Sequence, residues 1–184
     1  MLMRHYADMV RERGAEPKEG KVVFERCRSV VEWMIQAERR GRPGSRGLML
    51  SGGCGNGKST MCEAIRRFYQ QMPKPLSCIM ITASELNRVC SEKTADDGRF
   101  ENWCRCLRLI IDDLGTQQPY VMDYGNQRFP FNELLEERYN RNLITIISTN
   151  ITRPEEFRRL YGARIEDRVR EYFWVVPVTE NSYR

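Results

Sequence analysis

Gly52, Gly57, Lys58 and Ser59 stand at the spacing G-x-x-x-x-G-K-[ST], a combination suited to holding a chain of phosphates. Several backbone N–H groups must reach such an anion together. Gly52, Gly53, Gly55 and Gly57 keep side chains out of that approach and permit the φ values that turn the amides inward. The candidate nucleotide-binding stretch is therefore Gly52, Gly53, Cys54, Gly55, Asn56, Gly57, Lys58, Ser59 and Thr60. Lys58 is expected to reach the β- and γ-phosphates, and the Ser59 hydroxyl to join the shell of a Mg²⁺ ion that keeps several waters. The apolar run 48–50 before the loop reads as a strand, and Met61, Ala64, Ile65 and Phe68 after it repeat at helical spacing. That context turns the positive end of a helix toward the anion. A plain glycine-rich turn shares the composition, but these flanks favour the phosphate reading.

Two further stretches carry groups such a site needs. Asp112 and Asp113 follow the apolar run Leu109, Ile110, Ile111, at the strand end where open α/β sheets bind ligands. One carboxylate there can hold Mg²⁺ through water and the next can polarise an attacking water; an acidic turn after a strand is the structural alternative. Ser148, Thr149 and Asn150 end another apolar run. If its strand lies between the other two, the Asn150 amide can orient water opposite the terminal phosphate; otherwise Asn150 or Thr152 caps the next helix. Arg164 and Arg168, four apart on one helical face, could meet a phosphate of a neighbouring subunit. Pairing of Arg164 with Asp167 or Glu171 is the more common case on spacing alone.

The elements that must position these residues alternate. Helices are predicted over 2–13, 22–40, 58–71, 83–90 with Ser84 as N-cap, 100–106, 131–140, 154–161 and 163–172. Strands are predicted over 48–50, 77–82, 107–112, 143–148 and 173–178. Residues 91–99 and 115–130 read as irregular. The pattern gives an α/β fold, a central parallel five-stranded sheet sandwiched between helices, with a helical lead-in over 1–46 and the core over 47–184.

A chain of 184 residues builds one core. Its 41% hydrophobic and 30% charged residues, with no long apolar run or leader-like start, predict a soluble cytoplasmic protein without membrane contact. The seven cysteines lack a C-x-x-C pair, and the single histidine, His5, is distant in sequence, so reduced thiols are expected rather than zinc. Cys54 differs because it lies in the phosphate loop, where oxidation could affect binding. The net charge of +5 is modest, yet arginines cluster at 39, 40, 42 and 46 and again at 153, 158, 159, 164, 168 and 170. Such clusters suit nucleotide or nucleic-acid phosphate.

Taken in order, 52–60, Leu109-Ile110-Ile111-Asp112-Asp113-Leu114-Gly115, Ser148-Thr149-Asn150 and 164–170 resemble the ATPase domain of the DnaC/DnaI helicase loaders and the related IstB transposition helpers, of the AAA+ class. The resemblance covers residues 45 to 184 and includes the closing Asn181-Ser182-Tyr183-Arg184. It implies ATP or ADP with Mg²⁺ as cofactors, Lys58 and Ser59 on phosphate and metal, Asp112 in the metal shell, Asp113 as water activator and Asn150 as sensor. Arg168 best matches the arginine finger and Arg164 is second choice. The resemblance further implies a head-to-tail homo-oligomer hydrolysing ATP on replication or transposition DNA, most simply single-stranded, beside a replicative helicase or transposase. Tyr120 and Tyr124 are candidate stacking residues for that strand. Two departures accompany it: the few residues after the last strand leave no helical lid, and the lead-in is short for a helicase-binding domain. The alternative function is a small kinase passing phosphate to a small-molecule acceptor, which the loop alone permits.

Overall fold

The structure, a computed structural model, describes residues 1–17, 20–39, 46–91, 98–123 and 125–179. The chain opens with α1 (Leu2–Glu12) and α2 (Lys21–Glu38), enters β1 (Gly47–Ser51) and passes through α3 (Lys58–Gln70) to β2 (Ile79–Thr82). Helices α4 (Ala83–Ser91) and α5 (Arg99–Arg105) lead to β3 (Arg108–Leu114), followed by the short strands β4 (Val121–Asp123) and β5 (Asn126–Arg128). Then come α6 (Pro130–Asn140), β6 (Ile144–Thr149), α7 (Pro154–Tyr161), α8 (Ala163–Tyr172) and β7 (Phe173–Pro177).

The predicted parallel five-stranded sheet is present, in the order β2-β3-β6-β1-β7. Its strands are apolar on both faces because helices cover both. Leu48 and Leu50 of β1 and Ile144 and Ile146 of β6 point into one apolar cluster with α1, α2 and α3. Met49 and Ile147, one residue out of phase, point into the other with α4 to α8. Each fully buried Leu or Ile contributes about 1.5–3 kcal/mol, so a one-residue slip in register would forfeit both clusters. The register places Ser51, at the end of β1, beside Thr149 of β6 and Pro177 of β7. Three strand ends, two of them polar, thereby meet at one edge of the sheet.

The lead-in helices share the first cluster. On α1 the buried residues Leu2, His5, Tyr6, Met9 and Val10 follow helical spacing, and α2 buries Val23, Cys27, Val30, Trp33 and Met34 beside β1. Pro130 and Pro154 stand in the first turns of α6 and α7, where a missing N–H costs nothing.

Local expectations need correction. Helix α4 is capped by Thr82, whose Oγ1 accepts the Glu85 N–H at 3.0 Å, not by Ser84. Residues 115–130 are not wholly irregular: β4 and β5 form an antiparallel hairpin, too short and too polar to show alternation. No side chain caps α7, whose N-cap is Arg153, so neither Asn150 nor Thr152 takes that part. Most of the predicted 91–99 loop, Arg40, Arg42, Tyr124 and 181–184 lie outside the described residues.

Candidate functional site

The phosphate loop leaves β1 and enters α3 through Gly57, the N-cap, at φ 85 and ψ 17; Gly55 is also left-handed, at φ 79. A side chain would strain both, so these two supply the conformational freedom expected of the loop. Gly52 has another reason: a Cβ there would lie 2.1 Å from the Val178 carbonyl oxygen. Its N–H is also spent on the Thr149 carbonyl, at 3.2 Å, so its amide does not turn inward as the sequence suggested. Gly52 and Gly53 instead act through their carbonyls, which accept from Lys58 Nζ at 2.8 and 2.6 Å. Lys58 is only 5% exposed, and burial lowers its pKa from the ordinary value while Cys54, Asp113 and Asp112 oppose the shift. An anion entering the loop takes over from those two carbonyls as the partner of a desolvated cation.

The ends of β3 and β6 form one wall. β6 does lie between β1 and β3. Between Ile111 and Leu114 the β3–β6 register shifts, a bulge of the kind that re-aims a side chain beside a site. Asp113 sits on it in the left-handed region, φ 58. Ser148, fully buried, staples the bulge: its Oγ accepts the Asp113 N–H at 2.9 Å and its hydroxyl donates to Asp112 Oδ1. Thr149 Oγ1 donates to the Leu114 carbonyl at 2.8 Å and accepts the Ile151 N–H at 3.0 Å. Asn150 Nδ2 lies 3.4 Å from Cys54 Sγ, across the mouth of the loop.

The other wall comes from α1, which no motif had implicated. Val10, Arg13 and Ala15 line the same pocket as residues 54–60, Asp113, Thr116 and Asn150, a cavity of about 410 Å³, within the range that holds small ligands and cofactors. Arg13 Nη1 donates to Thr60 Oγ1 at 2.9 Å. The contact joins residues 47 apart in sequence, so only the apolar face of α1 could have hinted that this helix docks at all.

Neither Arg164 nor Arg168 of α8 lines this pocket. The Arg168 guanidinium lies 4.5 Å over the Tyr139 ring, with Nη1 buried and without a hydrogen bond. Arg164 is exposed and pairs with Glu136 of α6 at 3.0 Å, replacing the expected Asp167 or Glu171. Tyr120, proposed as a stacking residue, packs on Phe129 with ring centres 6.1 Å apart. All the cysteines are free, with Cys54 exposed; burial raises the thiol pKa of Cys78 to about 12 and those of Cys90 and Cys104 to about 11.

The donor set fits Mg-nucleotide. Left-handed Gly55 and Gly57 open the helix end, Lys58 Nζ rests on two carbonyls and Ser59 lines the pocket, while Asp112, buried at the end of β3 and accepting from the Ser148 hydroxyl, does not line it; hydroxyl and carboxylate are the hard oxygen donors Mg²⁺ prefers. The metal would be held by Ser59 directly and by Asp112 through water, and it would supply charge neutralisation at the phosphates.

The fold is that of a phosphate-loop domain of the AAA+ type. The fold is DnaC-like. Among solved structures it is similar to DnaI (20% identity, TM-score 0.69, covering 89% of this chain and 88% of that one) and to the DnaC helicase loader (17%, 0.68, 88% and 93%). It is also similar to the replication initiator DnaA bound to AMPPCP and single-stranded DNA (14%, 0.65), covering 89% of this chain but 48% of that one. No protein-family profile matches the sequence, and neither does any curated protein. Among the described residues no helix is long and apolar enough to cross a membrane.

Proposed function

We propose that this protein binds ATP with Mg²⁺, hydrolyses it, and acts in DNA replication or transposition as a head-to-tail assembly. One observation carries the reading: Lys58 and Ser59 from the β1–α3 loop, Asp113 from β3 and Asn150 from β6 converge on a single pocket. In this scheme Lys58 and the loop amides hold the phosphates, Asp113 polarises water and Asn150 orients it. The left-handed bulge supports that role for Asp113, because it fixes a carboxylate at the pocket instead of in the sheet.

The neighbouring copy supplies the guanidinium for the terminal phosphate, by motif position Arg168 with Arg164 second. That neither lines its own pocket supports delivery between subunits. Arg168 must leave Tyr139 to serve. Single-stranded DNA as partner is supported by the DnaA neighbour, which was solved with it. Exposed arginines of α7 and α8, among them Arg153 and Arg159, offer it phosphate contacts. A replicative helicase as partner is supported by the likeness to DnaC, described as a helicase loader.

The test is phosphate release from Mg-ATP, without acceptor, against protein concentration. A per-subunit rate that climbs with concentration, falls about a hundredfold or more in Lys58→Ala, and falls in Arg168→Ala is the expected result. A measurable rate flat in concentration and indifferent to Arg168 would refute the shared site.

A further inference from the structure

Helix α1 ends in a closed turn. Gly14, at φ 74, lets its own N–H reach the Arg11 carbonyl at 2.9 Å and the Ala15 N–H reach the Val10 carbonyl at 3.1 Å. These are the paired bonds of a Schellman motif, in which the residues at the positions of Val10 and Ala15 make the accompanying apolar contact. Both line the pocket, and so does Arg13 between them. Arg13 is thus presented on a fixed turn. One of its five N–H donors is engaged by Thr60 Oγ1, at 2.9 Å. The ion pairs of α1 among the described residues use Arg4, Arg11 and Glu12. Among the described residues Arg13 therefore has no ion-pair partner, and it brings its charge and spare donors to an anion pocket.

The order of residues along the pocket says which phosphate it meets. Lys58 and Ser59 begin α3, and with Asp113 and Asn150 they occupy the strand-end side. Thr60 follows them in the helix and faces α1. A nucleotide whose terminal phosphate lies toward Asn150 leaves its α-phosphate at Thr60, with its sugar and base toward the apolar pair Val10 and Ala15. We propose that Arg13 is a ligand of the nucleotide α-phosphate, and that this contact latches α1 onto α3 when nucleotide is bound. The proposal rests on the reading of the pocket as a nucleotide site. The latch adds to a clamp already present, since Arg67 of α3 holds Glu12 through two N–H donors at 2.8 Å.

The experiment is titration of Mg-ADP into the full chain and its Arg13→Ala, Arg13→Lys and Lys58→Ala variants, with amide exchange followed in residues 2–12. Arg13→Ala is expected to weaken ADP about tenfold, as loss of a charge-assisted hydrogen bond does, and Arg13→Lys by less. The nucleotide-free melting temperature and α1 exchange should stay as in the wild type. ADP should slow α1 exchange in the wild type and not in Arg13→Ala. Wild-type ADP affinity in Arg13→Ala, with binding abolished in Lys58→Ala, would overturn the role of Arg13 and leave the pocket reading intact. So would an affinity loss matched by faster α1 exchange in the nucleotide-free variant, which would make Arg13 structural only. A wild-type protein that does not bind ADP would remove both readings.

Discussion

The two walls of the pocket are built in opposite ways. The β3–β6 wall is over-determined: Ser148 and Thr149 are fully buried, their hydroxyls are spent inside, and Asp113 is held in a conformation that costs a non-glycine residue roughly 1–3 kcal/mol. The α1 wall carries no left-handed non-glycine residue and is fastened by a buried apolar face and by the exposed Arg67–Glu12 pair, the ion pair being of little individual strength. Strain is stored where neighbours can enforce it.

The largest effect expected from breaking this contrast is on the rigid wall. Asp113→Asn keeps a residue that tolerates the left-handed region but removes the carboxylate, so turnover should fall about a hundredfold or more while ADP affinity and melting temperature hold. Phosphate release beside titration calorimetry reads both; unchanged turnover would leave that wall without a catalytic part. Ser148→Ala strips the staple, leaving the Asp113 N–H and an Asp112 oxygen short of a partner. Urea unfolding should show a loss of about 1–3 kcal/mol, and full stability would mean that the bulge holds itself.

On the α1 wall the expected effects are smaller and local. His5 is buried with Nε2 unpartnered, and burial lowers its pKa from 6.5, aided by the N-terminus, Arg4 and Arg67 and opposed by Asp8. The folded state therefore binds fewer protons than the unfolded chain. This contribution to stability is complete above pH 6.5 and is lost as pH falls through the folded-state value. Relative to the intrinsic amide rate at each pH, protection in α1 should fall between neutral and mildly acid pH, and His5→Leu should flatten that dependence. Glu12→Gln should be smallest, with the melting temperature unchanged and faster exchange confined to α1; global destabilisation would show that this wall is as rigid as the other.

Much of this was legible in the sequence. All five core strands and their alternation with helices follow from apolar runs of the right length, because a sheet covered on both faces leaves that mark. The loop announced itself through spacing, the acidic pair through its distance from the loop, and Asn150 only when read together with both. The left-handed Asp113 did not, since Asp-Asp-Leu-Gly is compatible with an ordinary strand end. The role of Ser148 depends on the β3–β6 register, and that of Arg13 on a helix returning from 47 residues away. The β4–β5 hairpin has too few residues per strand to declare a period. Arg138 left a signal that was passed over: it follows Phe131 by seven positions and Leu134 by four, the spacing of the buried face of α6.

That arginine has a mechanical consequence. Fully buried, its guanidinium donates to the Trp103, Cys106 and Ile144 carbonyls and to the Thr145 hydroxyl, welding the end of α6 to the start of β6. Beside it on α6 stand Glu136 and Tyr139, the supports of Arg164 and Arg168. At the far end of β6, a strand of roughly 20 Å at ~3.3 Å per residue, stand Ser148 and Asn150. The arginine platform and the rigid wall of the pocket are thus two ends of one beam. In a head-to-tail chain of copies, each protein would act as a stiff lever, passing a tilt imposed at its arginines to its own pocket without refolding anything between.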